Sequence, residues 1–500
     1  MKKVATYCLA FLFTFNSNVF AAPQAPMTDE SVIHLLNRIT FGARPGDIEH
    51  LKALGLQGYI EEQLNPNSIP ESPYVQNATA DSPSNGQNAE QLITEYRQNQ
   101  KAVQQAKKAA GGDKAQIPND VKQFFKSFGQ RYATEKLVKA IESPRQLQEV
   151  MTEFWFNHFN VAMSKGLDRV LVEPYERDAI RPYALGRFRQ LLGATCHHPA
   201  MLFYLDNWQN TDPKSQGARG QFTGINENYA RELMELHTLG VDGGYTQKDV
   251  QELARVLTGL GLGNERNPRL EKIDSYGAYF DPNRHDFGAK TILGRRISGS
   301  GENEVEECLD MLSRQPATAH HLSYQLAQYF VSDDPPASLV NKMAARWQQT
   351  DGDIKSVLRE LLYSPEFWAA KNENSKYKTP LRYVVSTLRA SDAHPKDFRM
   401  VNQFLKLQGE PLYGCLTPDG YKNTKTAWLN PDALLYRINF ATAYGAGRLA
   451  DLMPEAPEYR RLGYTISGSK FKSHTVAVIA KTPDELKSSA ILGSPDFMRY

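Results

Sequence analysis

Apolar residues recur at helical spacing along most of this 500-residue chain, and that periodicity limits its fold more than any other feature. Val32, Leu35, Leu36 and Ile39 fall at i, i+3, i+4 and i+7, with Thr28 placed to cap them. Pro45 opens a second helix, which Gly55 breaks. Ser143-Pro144-Arg145-Gln146 reads as a helix start, with Ser at the cap and Gln three residues later. Leu147, Val150, Met151, Phe154, Trp155, His158 and Phe159 then mark one face. Asn226 is placed to cap a helix carrying Tyr229, Leu233 and Leu236. Thr246, with Asp249 three later, caps another carrying Val250, Leu253, Ala254 and Leu257. The pattern loosens to short strands and turns only near 278–297. The strand–helix alternation of a parallel sheet is absent, as is any solenoid period. The expected fold is mainly α: one large helical domain over 22–500, with a few short strands near 278–297. Residues 66–125, polar and thinly striped, read as an insertion or arm outside the core.

The N-terminus has the pattern of a secretory signal. Lys2 and Lys3 precede an apolar run from Val4 to Phe15, and Val19-Phe20-Ala21 offers a cleavage point after Ala21. A secreted or periplasmic protein is expected. No other apolar run approaches the ~20 residues of a membrane span, so no transmembrane span is expected after processing. The chain holds 58 Lys+Arg and 56 Asp+Glu, and loss of residues 1–21 takes two lysines and no acid. A neutral protein of this kind lacks the basic excess of a nucleic-acid binder. Cys8 falls in the signal, leaving Cys196, Cys308 and Cys415. Cys308 sits at a helical core position and reads as a buried thiol. Cys196 and Cys415 are the pair for a bridge, if one forms.

Candidate chemistry concentrates in GINENYARELMELHTLGVDGGYTQKDVQELARVLTG, residues 224–259. Glu227, Arg231 and Glu235 share one helix face, a spacing that also suits an exposed salt-bridge ladder. His237 lies on the apolar side near the helix end, where an imidazole can ligate metal, act as a base or simply bond a carbonyl. His158 interrupts the apolar Phe154-Trp155-Phe156-Asn157-His158-Phe159, and His285-Asp286 lies in a turn-rich stretch. His197-His198 reads as a helix end and His320-His321 as a surface pair. No HExxH, GxSxG, phosphate-loop, dinucleotide-binding or EF-hand pattern occurs.

Asn226-Glu227-Asn228-Tyr229-Ala230-Arg231-Glu232-Leu233-Met234-Glu235-Leu236-His237-Thr238-Leu239-Gly240 resembles the signature of a bacterial family, domain of unknown function 1800 (DUF1800). The likeness extends to Leu36-Asn37-Arg38-Ile39-Thr40-Phe41-Gly42, Phe154–Phe159, Arg181–Gly186, Trp428-Leu429-Asn430-Pro431 and Ser494-Pro495-Asp496-Phe497. Two departures are Leu260, where the family often has Trp, and the longer, more polar 66–125 segment. The resemblance implies a mostly helical exported protein, with no assigned activity. It also implies a partner, a sulfatase-like envelope protein of the DUF1501 type.

Two functions are then expected to compete. One is an envelope enzyme, in its metal-assisted form one in which His158, His237 and His285 hold a divalent metal. Its catalytic residues would be His237, Glu235, Arg231 and Asp286, with Asp206 and the 208–224 loop at the entrance. The other is a non-enzymatic binding or assembly partner of a second envelope protein. Distance separates them: imidazole nitrogens within about 4–5 Å can share a metal, and those beyond about 10 Å cannot.

Overall fold

A computed structural model describes residues 25–110, 117–262, 277–468 and 471–500. Residues 1–21, the expected signal segment with Cys8 and the expected cleavage point, lie outside them. Helix starts follow the capping chemistry in several places. Thr28 and Ser31 form a reciprocal capping box at the helix Asp29–Ile39, and Thr246 with Asp249 does so at Gln247–Val256. Gly55, at φ +78°, interrupts Asp47–Leu64. Asn226 acts one residue outside its expected place, accepting from the Asn228 N–H at 3.0 Å so that the helix runs Asn228–Glu235. The Ser143 box does not form. The helix begins at Gln146, whose side chain instead donates to the Ser143 and Ala140 carbonyls.

The described residues are mainly α, with two small two-stranded antiparallel sheets. Leu260–Leu262 pairs with Ala278–Phe280, and Lys290–Ile292 with Arg295–Ile297. One continuous apolar core runs from Val32 to Met498. Helices Pro316–Phe330, Ala337–Thr350 and Ile354–Leu362 pack in succession, and Pro431–Gly445 packs on Lys487–Leu492. No helix of the described residues is long and apolar enough to cross a membrane.

The 66–125 segment is not wholly outside the core. Leu92 and Ile93 on Ala89–Ala109 are buried in it, and Asn119–Glu142 runs through the expected boundary to carry buried Phe128 and Tyr132. The Cys196–Cys415 bridge is not formed: neither sulfur is in a disulfide, and both residues are buried. Cys196 lies beside Tyr175 and Tyr229, whereas the Cys415 sulfur is 3.7 Å from Thr417 in a loop. Cys308 is a buried free thiol, as its core position implies.

Candidate functional site

The helix Gln146–His158 buries Leu147, Val150, Met151 and Trp155 and carries a second, polar stripe of Glu149, Glu153 and Asn157 at i, i+4 spacing. Glu153, Asn157 and His158 form one wall of a cleft of about 290 Å³. A second wall comes from His321, Gln325, Gln328 and Tyr329 on Pro316–Phe330. Glu235, Leu236 and Val241 close one end, and Arg382, Glu410 and the 419–423 loop close the other.

That loop is pinned by amide chemistry. The Asn157 side chain pairs with the Tyr421 backbone like a peptide unit, donating to its carbonyl at 2.8 Å and accepting its N–H at 2.7 Å. Asn160 donates to the carbonyls of Cys415 and Thr417. Gly420, at φ +67°, passes so close that a Cβ there would lie 2.2 Å from the Asn157 carbonyl oxygen, so only glycine fits.

Two carboxyl groups of the cleft are held in opposite conditions. Glu410 is buried, and burial pushes its pKa up to about 8. The Leu381 N–H, donating at 2.6 Å from the first turn of Pro380–Ala390, opposes that rise; the charge of Glu153 adds to it. Glu153 is paired instead, 2.6 Å from the Lys136 ammonium. Lys136 also meets Glu176 at 2.8 Å and lies over the rings of Phe156 and Tyr413, and its pKa is raised by these carboxylates against burial. The cleft therefore holds one carboxyl group whose neutral form is favoured by burial and another paired with a lysine. Arg382 completes this end. Its Nη1 donates to the Asn37 and Thr40 carbonyls, Tyr500 lies against it, and Nη2 is buried with no hydrogen-bond partner among the described residues.

His158 and His237 do meet, with ring centroids 6.0 Å apart. His158 Nε2 donates to the His237 carbonyl at 3.2 Å, and Nδ1 lies 2.8 Å from the Gln325 amide. Both nitrogens are engaged, so neither is free for a metal. Burial lowers the His158 pKa to about 3, with His321 adding to the fall, and pushes His237 well down. Such weakly basic imidazoles are poor proton acceptors near neutrality. His237 Nε2 is buried without a partner behind the cleft wall. His321, expected as a surface residue, instead lines the cleft and reaches Gln325 at 3.1 Å.

His285 belongs to another region. Its Nδ1 donates to the Thr258 carbonyl at 2.8 Å, and its Nε2 lies 3.3 Å from Glu304, which also pairs with Lys290 at 2.5 Å. All three side chains are fully buried. Asp286 is held by a two-pronged Arg255 contact at 2.7 and 3.1 Å. Among the described residues no three His, Cys, Asp or Glu side chains are gathered to hold a metal, so the expected His158–His237–His285 centre is not assembled. Arg231 lies on the exposed face, bonded to Glu227 and Gln247. Of the four expected catalytic residues only Glu235 lines the cleft, accepting from the Tyr245 hydroxyl at 3.2 Å. Asp206 is paired with Lys165, and the 208–224 loop packs by Gly217 against Arg284, so neither forms an entrance.

Sequence reasoning passed over Glu153, Glu410 and Arg382. The Glu149–Glu153–Asn157 stripe on an otherwise apolar helix was a usable signal for the first. Glu410 lies in a stretch with no periodicity to read.

No curated protein matches this chain, and no solved structure does. A family model, described as a protein of unknown function, matches residues 34–499, nearly the whole length, and the chain belongs to that family, DUF1800.

Proposed function

We propose that this protein is an exported enzyme that cleaves a small polar substrate by general acid–base chemistry in the Glu153–Glu410 cleft. The observation that carries the reading is that a buried Glu410 and a Lys136-held Glu153 line one cavity, with burial raising the proton affinity of Glu410. Two carboxyl groups in unlike surroundings, one buried and one beside a lysine, can divide into acid and base. Glu410 is the proton donor to the leaving group. Glu153 is the base for water or the direct nucleophile. Arg382 and the Tyr421 loop orient the substrate, and the buried histidines brace the wall behind it. A glycosidic bond is the bond class such a pair serves most directly. Among the described residues no three metal-ligating side chains gather, so the reading is framed without a metal. Export rests on Lys2, Lys3 and the apolar run to Phe15.

The test is a panel of aryl glycosides of graded leaving-group ability, run on wild type, Glu410→Gln and Glu153→Gln. Glu410→Gln should lower kcat by about 10²–10⁴-fold on poor leaving groups and far less on 4-nitrophenol. Wild-type kcat/KM should fall as pH rises through about 8, where Glu410 loses its proton. Infrared difference spectra of wild type and Glu410→Gln check the premise without a substrate. A Glu410 carboxylate already ionised at pH 7 would overturn the acid assignment. An inert enzyme with Glu410 protonated would overturn the glycoside assignment and move the case to the binding-partner reading.

A further inference from the structure

A second cavity, of about 90 Å³, opens on the other side of Tyr500 and holds a lysine and a serine that the cleft does not use. The Lys378 Nζ lies 3.0 Å from the Ser386 Oγ and 3.6 Å from the centre of the Phe497 ring. It has no ion pair among the described residues, although Glu30, Glu373 and Asp496 line the same cavity farther out. The charged groups that act on it are the guanidiniums of Arg382 and Arg437. An ammonium needs three acceptors, and this one has a single hydroxyl, an aromatic face and two neighbouring cations. Burial and those cations hold its pKa well below the usual lysine range. The Ser386 hydroxyl sits on Pro380–Ala390, 3.0 Å from the Tyr383 carbonyl, free to turn its proton to that oxygen or to Nζ. Gly42, at φ +115°, lines the same cavity and packs directly on Ser386, where a Cβ would lie 2.8 Å from the Ser386 Cβ.

We propose that Lys378 and Ser386 form a second, nucleophilic site that accepts an acyl group from a small activated ester, with Ser386 Oγ the acceptor and Lys378 Nζ the base. In the first step the Ser386 Oγ–acyl carbon bond forms and the ester C–O bond breaks. The hydroxyl proton passes to Nζ and from there to the departing alkoxide. In the second step water gives a proton to Nζ and attacks the acyl carbon. The carboxylic acid leaves, and the proton returns to Oγ. An amine as base beside a serine hydroxyl needs no third group, because an unprotonated amine takes the proton directly.

The probe is 4-nitrophenyl acetate, given to the full chain at pH 7. Wild type should release one equivalent of 4-nitrophenolate in a burst, and peptide mapping should place a hydroxylamine-labile acetyl on Ser386. Ser386→Ala should abolish both. Lys378→Arg, which keeps a cation but cannot take the proton, should slow the burst by about 100-fold or more. Circular dichroism establishes that both variants are folded, and Ser386→Ala, which removes one oxygen, decides the case if Lys378→Arg is not. The site shares no reacting group with the cleft, so Glu410→Gln should keep the burst. Acetylation confined to surface lysines, or a burst unchanged in folded Ser386→Ala, overturns the proposal. An unchanged rate in folded Lys378→Arg overturns the base assignment.

Discussion

Around His285 each buried polar side chain is answered, whereas around the Glu153–Glu410 cleft several are not. His285, Lys290 and Glu304 satisfy one another and the Thr258 carbonyl, and Asp286 with Arg255 closes the periphery. This knot ties Lys290–Ile292 and its hairpin to the helix Gln247–Val256 and leaves no group free for a ligand. Arg382 Nη2 in the cleft and His237 Nε2 behind its wall are buried without hydrogen-bond partners among the described residues, and burial favours the protonated form of Glu410. Histidine and acid together therefore mark a site only where something remains unsatisfied. A buried cluster that is fully paired is a device for holding elements together.

The largest expected effect comes from breaking the knot. Glu304→Ala leaves Lys290 and His285 buried without their acid, and removal of one partner from a buried pair costs about 3–5 kcal/mol. Urea unfolding should show a loss of that size. Activity per folded molecule should be unchanged, because none of these residues lines the cleft. A loss below about 1 kcal/mol would mean that the knot is solvated and that the contrast between the two regions is wrong.

The cleft should show the opposite behaviour, with a pH dependence whose sign is fixed. Glu410 binds its proton more tightly folded, at about 8, than unfolded, near the ordinary 4.5 of a glutamate. Between those values the native state carries the extra proton. Its contribution is therefore full below about 4.5 and is lost as pH rises toward 8. One proton gives a slope of up to about 1.4 kcal/mol per pH unit. Glu410→Gln should remove that slope and be relatively more stable than wild type at pH 8. Parallel stability curves for the two proteins over this range would show that Glu410 is not held protonated.

How much of this was readable in advance follows from where the determining contacts lie. Thr28, Thr246 and Gly55 act on their own neighbours, so their effects follow from local spacing. The meeting of His158 with the His237 segment could be stated as a distance to be measured, because both sit on apolar helix faces. Glu410 was invisible, since its proton affinity is raised by burial and by Glu153 and opposed by the Leu381 N–H, through residues distant in sequence that come together only in the folded chain. His321 was assigned to the surface because a helix's exposed side and a cleft wall have the same polar composition. Asp286 looked available only while Arg255, 31 residues away, was not known to face it.

Arg231 gives the smallest expected effect and the sharpest check on motif reading. It stands inside the family signature and was expected among the catalytic residues. Its side chain is 39% exposed, and its partners are Glu227, one helical turn back at 3.2 Å, and Gln247 on the next helix. An exposed i, i+4 pair contributes about 0.3–0.5 kcal/mol, screened by salt. Arg231→Ala should therefore shift the unfolding midpoint by no more than that, with less effect at high salt, and should leave kcat and KM unchanged. A large loss of activity with stability intact would place this exposed helix face in the chemistry. It would move the site from the Glu153–Glu410 cleft to the surface where a partner would dock.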